Sequence, residues 1–131
     1  MSELVTKFRT ALENMNSVNF TGTSLSVSKF PNACCDDASL LLASYLADNG
    51  YPNINLIRGS DGGKDGEFRS HVWLKLDDIN IDITADQFNG NSYRNQLVII
   101  DPSNSYLKAF DTVMVAKVTL DLSFFSIMMQ V

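Results

Sequence analysis

The sequence contains little histidine, cysteine or proline. Its 131 residues include one histidine, two cysteines and three prolines. With a single imidazole in the chain, any histidine-dependent chemistry must use His71. The two cysteines, Cys34 and Cys35, are adjacent, and neighbouring residues in a trans backbone form a disulfide only with strain. A disulfide framework is therefore not expected, and both thiols should be free.

Long apolar runs and basic clusters are also missing. Stretches such as 97–100 are far shorter than the ~20 residues of a membrane-spanning helix. Ten basic and fifteen acidic residues give a formal charge of −5, and the basic residues are scattered. We therefore expect neither a nucleic-acid nor a membrane partner. The first residues include Glu3 and lack the pattern of a standard secretory signal, so the cytosol is the default location, with export by another route as the alternative.

The length and composition predict one packed domain spanning residues 1–131. Hydrophobic residues make up 45% and charged residues 19% of the chain, which is typical of a globular domain with a substantial core. No internal repeat or low-complexity tract divides the chain.

Apolar spacing predicts two helices in the first half of the chain. Over residues 3–18 apolar side chains recur every three or four positions, as on the buried face of a helix. A second helix is predicted over residues 34–49, with acidic residues in its first turn and Gly50 followed by Pro52 at its end. Residues 19–32, rich in Ser, Thr and Gly, are expected to form a connector.

The second half of the chain predicts strands. A short strand is expected over 54–58, followed by a polar glycine loop over 59–66. Residues 68–76 and 79–83 alternate in polarity around a turn at Asp77 and Asp78, which predicts a hairpin with one buried face. Further strands are predicted over 96–100 and 112–120, and residues 124–131 fit either a strand or a helix. The order predicts an α+β fold with N-terminal helices packed on a mainly antiparallel sheet.

Three residue types in this arrangement suggest thiol chemistry. A cysteine in the first turn of a helix is favoured as the thiolate, the nucleophilic form. In the predicted hairpin, Asp82 lies opposite Trp73 and diagonal to His71 on the same face, within reach of the imidazole. A cysteine, a histidine and an orienting carboxylate are the requirements of an acyl-transfer site. Each residue also has an ordinary structural interpretation, and helical geometry alone does not choose between Cys34 and Cys35.

Several segments together resemble the transglutaminase-like, papain-related cysteine enzymes. The run from Cys35 to Ser39, leading to Gly50, resembles the helix that carries the nucleophile in this family. Ser70-His71-Val72-Trp73-Leu74 is similar to the family's His-Ala-Trp-Val strand, and Ile81-Asp82-Ile83-Thr84 to its Asp-Pro-Thr segment. The continuation Ala85-Asp86-Gln87-Phe88 is similar to a bacterial subgroup of small stand-alone members. The match covers residues 31–88 in the family's order, with Ile83 in place of the usual proline and Asn32-Ala33-Cys34-Cys35 in place of Gly-x-Cys.

The resemblance implies a papain-like core and a Cys-His-Asp triad that acts on peptide or protein amides. Cys35 would be the nucleophile, His71 the general base and Asp82 its orienting acid. The oxyanion donors would be the backbone N–H of Cys35 and a preceding side chain, for which Asn32 is our candidate, and Trp73 is our candidate for substrate binding. No cofactor or metal is required. Protease, deamidase and transglutaminase activities all fit, and a role as a toxin-like effector rests on the resemblance alone.

Two other functions are compatible with the sequence. Cys34, Cys35, His71 and Asp82 could ligate zinc, although adjacent cysteines rarely chelate one ion tetrahedrally. Alternatively, the chain is a non-catalytic adaptor or immunity-type module of the same fold, binding a protein through the glycine loop and the Trp73 face. The substrate and the oligomeric state do not follow from the sequence.

Overall fold

The computed structural model describes residues 1–14, 35–90 and 93–118. In chain order these residues form helix α1 (Ser2–Asn14), helix α2 (Cys35–Asp48), strands β1 (Asn55–Gly62), β2 (Phe68–Leu76) and β3 (Ile79–Asp82), a 3-10 turn (Ala85–Phe88), strand β4 (Ile99–Asp101), the short helix α3 (Ser105–Lys108) and strand β5 (Asp111–Lys117). The predicted α+β class is confirmed. The predicted end of the first helix at 15–18, the connector and the apolar tail lie outside the described residues.

The five strands form one antiparallel sheet in the order β4-β3-β2-β1-β5. The predicted hairpin is confirmed, because β2 and β3 pair around the turn at Asp77 and Asp78 with Leu74 opposite Ile81. Continued by one residue, this register aligns Asp82 with Trp73, as the sequence predicts. Short turns account for the antiparallel pairing of β1 with β2 and of β2 with β3, whereas β4 and β5 are added by longer connections.

The two N-terminal helices cover one face of the sheet. Helix α2 packs against β2, where the Ser39 hydroxyl donates to the carbonyl of Val72 at 3.5 Å. The helix ends at Asp48, one residue before the predicted end. Gly50 follows with a φ of +98°, a conformation that glycine adopts without steric cost. The core on this face is built from α1, α2 and the inward side chains of the central strands: Val5, Phe8, Leu12, Ala38, Leu41, Leu42, Leu46, Leu56, Val72, Leu74, Ile81 and Ile83.

The opposite face of β2 is buried as well, which corrects the prediction of a half-buried strand. Four consecutive residues of this strand are buried: His71, Val72, Trp73 and Leu74. The cover on this second face comes from residues around the 3-10 turn and α3, which local alternation in the hairpin could not reveal. The buried apolar residues of this second core cluster are Ile57, Trp73, Ala85, Ile99, Leu107 and Phe110.

Strand β1 is longer than predicted and replaces the first half of the glycine loop. Gly59 and Gly62 lie within β1, which pairs with β2 on one side and β5 on the other. A side chain at Gly59 would bring its Cβ within 2.6 Å of Phe110 Cβ. The glycines therefore mark close packing of Phe110 over the strand rather than a loop, and the loop begins only at Gly63.

Candidate active site

The hairpin places His71 and Asp82 in direct contact. The imidazole Nε2 of His71 lies 2.6 Å from Oδ2 of Asp82, and the two side chains are 0% and 1% exposed. A carboxylate can only accept this hydrogen bond, so Nε2 carries the hydrogen. The diagonal pairing predicted from the hairpin register thus brings the histidine and its acid together.

The second oxygen of Asp82 is held by the residue two positions further on. Oδ1 accepts hydrogen bonds from the backbone N–H of Thr84 at 2.9 Å and from its hydroxyl at 3.3 Å. Thr84 is itself fully buried. Both carboxylate oxygens therefore have partners, which fixes the plane in which Asp82 meets the imidazole.

Aromatic rings enclose the imidazole. Trp73 stacks on His71 with ring centroids 5.7 Å apart, and Phe110 lies at 5.6 Å on a tilted plane. Phe88 meets the ring edge-on at 5.2 Å, with Tyr106 further out at 6.5 Å. This enclosure keeps bulk water away and leaves the ring few orientations other than the one that faces Asp82.

The surroundings keep His71 protonated at neutral pH. Burial alone would lower the pKa of the imidazole, but the charge and hydrogen bond of Asp82, with smaller contributions from Cys35, raise the pKa to about 10. A protonated imidazole carries hydrogens on both ring nitrogens. Since Nε2 is committed to Asp82, Nδ1 is the donor that remains.

That second nitrogen, Nδ1, is the atom that the Cys35 thiol can meet. Nδ1 is buried and has no partner of hydrogen-bond geometry among the described residues. The thiol is nevertheless close enough for its hydrogen bonding and charge to help raise the pKa of His71. The Cys35 sulfur also lies 3.9 Å from Oδ1 of Asp36. The sulfur thus stands beside the imidazole without being aligned on Nδ1.

Helix α2 begins at Cys35, so the thiol lies at the positive end of the helix dipole. The residue is partly buried, and it is the one free cysteine within the described residues. The thiol thus lies both at the start of a helix and beside the imidazole of His71, the kind of surroundings in which reactive cysteines are found.

A cleft of about 360 Å³ opens at the thiol. The cleft is lined by the start of α2, by β1, by the residue before His71 and by the 3-10 turn. Arg58 on one wall reaches the Asp36 carboxylate at 3.5 Å in an exposed ion pair. The described lining residues are Cys35, Asp36, Asp37, Arg58, Ser70, Gln87 and Phe88. Five of these seven residues have polar side chains, and the one aromatic side chain, that of Phe88, lies against the imidazole.

Of the residues predicted for the site, Cys35, His71 and Asp82 come together. Trp73 is 4% exposed and donates from its indole N–H to Oδ1 of Asn80 at 3.0 Å. It supports the imidazole from behind and is not among the lining residues of the cleft, so its role in substrate binding stays a prediction. Asn32, the candidate oxyanion donor, lies outside the described residues, as does Cys34.

Some residues of the cleft were not predicted from the sequence. Ser70 directly precedes His71, and Gln87 lies in the segment that resembles the bacterial subgroup. Either could have been proposed from those positions. Arg58 carried no such signal, because its contact with Asp36 joins residues that are 22 positions apart in the sequence.

Comparison with family models, with curated proteins and with solved structures found no match to this chain. Within residues 1–14, 35–90 and 93–118, no three His, Cys, Asp or Glu side chains converge in a way that would hold a metal ion. In the same part of the chain, no helix has the length and apolar character needed to cross a membrane.

Proposed function

We propose that this chain is a cysteine-dependent acyl-transfer enzyme of the transglutaminase-like, papain-like type that acts on peptide or protein amides. The nucleophile is Cys35, the proton carrier is His71 and the orienting acid is Asp82. The observation that carries the proposal is the buried 2.6 Å contact between His71 Nε2 and Asp82, which leaves the other ring nitrogen, Nδ1, without a hydrogen-bond partner among the described residues and available to a thiol at a helix start.

The first half of the reaction follows from a thiolate beside an imidazolium. The Cys35 thiol proton resides on His71 Nδ1, and the sulfur attacks the carbonyl carbon of the substrate amide, forming a C–S bond while the carbonyl electrons move to oxygen. As the intermediate collapses, the C–N bond breaks and the Nδ1 proton goes to the departing nitrogen. The products are a thioester on Cys35, a neutral His71 and free amine or ammonia.

The second half depends on which nucleophile enters. Water or an amine attacks the thioester and loses a proton to His71 Nδ1, and the C–S bond then breaks to release the thiolate. Entry of water completes hydrolysis or deamidation, and entry of an amine completes transfer. Throughout, Asp82 keeps Nε2–H as its hydrogen-bond donor, so the imidazole stays in the tautomer whose Nδ1 can accept the proton.

Selective labelling of the thiol tests the proposal. The purified chain is treated with iodoacetamide near neutral pH, and intact mass and peptide mapping identify the modified cysteine. We expect rapid modification of Cys35 that falls in His71→Asn to the rate of an ordinary thiol. Cys34→Ser serves as the matched control and should keep the fast rate.

The possible outcomes separate the competing functions. Fast labelling at Cys34 in place of Cys35 would overturn the choice of nucleophile. Slow labelling of both thiols, unchanged in His71→Asn, would contradict the enzyme and leave the non-catalytic binding module as the better explanation. The triad requires that the fast rate is lost both in Cys35→Ser and in His71→Asn and is kept in Cys34→Ser.

A further inference from the structure

Arg9 connects helix α1 to the segment that follows Asp82. Its guanidinium is 5% exposed. It donates hydrogen bonds to both carboxylate oxygens of Asp86, at 2.6 and 2.8 Å. It also donates to the backbone carbonyls of Ile83 at 2.5 Å and Leu97 at 3.2 Å. One side chain therefore joins α1 to two separate stretches of the second half of the chain.

The contacts match the shape of a guanidinium. Its planar fork meets a carboxylate with two parallel hydrogen bonds, which an ammonium group cannot do. Burial alone would lower the pKa of Arg9, but the hydrogen bonds and charges of Asp86 and Glu13 raise it, so the group is charged. Removing such a charge from water costs free energy. The buried ion pair therefore serves to fix the geometry of its partners as much as to stabilise the fold.

The segment that Arg9 holds is the one that orients the acid of the triad. Ile83 directly follows Asp82, and Asp86 opens the 3-10 turn with Ala85. Between them lies Thr84, whose N–H and hydroxyl both donate to Asp82. Arg9 thus anchors this short segment on each side of the residue that sets the carboxylate plane.

Residues of the same 3-10 turn also line the cleft. Gln87 and Phe88, the two residues after Asp86, line the cleft at Cys35. The Phe88 ring meets the His71 imidazole edge-on at 5.2 Å. A shift of the turn would therefore move the ring that packs against His71 together with the donors to Asp82.

We propose that Arg9 is a positioning residue for the site, acting through Asp86 and the Ile83 carbonyl to hold residues 83–88 in the arrangement that aligns Asp82 with His71. Arg9 touches none of the reacting atoms. Its catalytic consequence rests on the proposed function, whereas its effect on the acid–imidazole pair is independent of any activity.

The single histidine makes the effect directly measurable. In a chain labelled with 15N, the imidazole nitrogens of His71 are the only histidine signals, and their pH titration gives the pKa of that ring. The variants are Arg9→Lys, which keeps the charge and loses the fork, and Asp86→Asn, which keeps the shape and loses the charge. Leu12→Ala is the control, because Leu12 is a buried residue of the same helix whose apolar side chain forms neither a hydrogen bond nor an ion pair.

We expect Arg9→Lys and Asp86→Asn each to lower the pKa of His71 by at least about one pH unit, because the Asp82 contact loosens. Leu12→Ala should lower the melting temperature without changing that pKa. The alkylation rate of Cys35 should fall with the pKa of His71 in the two test variants. If Arg9→Lys does not fold, Asp86→Asn alone provides the comparison.

An unchanged pKa of His71 in every test variant that folds would overturn the inference and reduce Arg9 to a stabilising contact. A lowered pKa of His71 together with slow alkylation in the parent chain would uphold the positioning role and reject the proposed function. The two failures are thereby distinguishable.

Discussion

The indole of Trp73 stacks on the imidazole of His71, with ring centroids 5.7 Å apart and planes inclined by 27°. A protonated imidazole over the face of an indole is favoured by the charge distribution of the aromatic ring. The stack is held from the far side, because the indole N–H donates to Asn80. The chain contains one tryptophan and one histidine, so the fluorescence of the whole protein reports on this contact.

The first prediction uses that fluorescence. A protonated imidazole quenches a stacked indole, and the pKa of His71 is raised to about 10. The emission of Trp73 should therefore increase as the pH passes through about 10. Tyrosines ionise in the same range, so the measure is the difference between the parent chain and His71→Asn. A difference curve with its midpoint near pH 6.5 would show that Asp82 does not raise the pKa of His71 in the folded protein.

The pH dependence of stability is the second prediction. The pKa of His71 rises from 6.5 to about 10 on folding, so the folded state holds the proton more tightly. The stabilisation is complete below pH 6.5 and is lost as the pH rises through about 10, with a total on the order of a few kcal/mol. Urea unfolding across this range should show a falling free energy of unfolding. His71→Asn should flatten the profile, and an equally steep profile in that variant would assign the effect to other groups.

Replacing the acid tests its orienting role. Asp82→Asn keeps the shape of the side chain but can donate to Nε2, which favours the wrong tautomer and removes the charge that raises the pKa of His71. We expect Cys35 alkylation, and any acyl-transfer activity, to fall by about 10²–10⁴-fold. Asp78→Asn is the matched control, since Asp78 is an exposed acid in the turn of the same hairpin. Equal rates in both variants would contradict the triad.

The sequence was sufficient to predict the hairpin and the helix that form the site. Period-two alternation and the Asp77-Asp78 turn defined the register, and the register alone places Asp82 beside His71. The acidic first turn and the apolar stripe predicted a helix over residues 34–49, and α2 spans Cys35–Asp48. Both predictions rest on patterns of neighbouring residues, and such patterns predict secondary structure well when the apolar periodicity is strong.

What the sequence could not predict depends on contacts between distant segments. The burial of both faces of β2 requires Leu107 and Phe110, which lie about 25 to 30 residues beyond the end of the hairpin. The strand assignment of Gly59 and Gly62 depends on Phe110 as well. Arg9 looks like one polar residue on a helix face, and only the fold shows that it reaches Asp86.

The close approach at Gly59 leads to a final prediction. An added Cβ would lie 2.6 Å from Phe110 Cβ and 2.9 Å from Trp73 Cη2, and neither atom can retreat without moving the backbone of Phe110 or the ring that supports His71. Gly59→Ala should therefore lower the free energy of unfolding by about 1–3 kcal/mol and slow Cys35 alkylation through displacement of Trp73. Gly90→Ala is the control, because no atom of the part of the chain that the structure describes lies within 4 Å of its added Cβ. A Gly59→Ala chain as stable as Gly90→Ala would show that Phe110 does not pack over β1 as described.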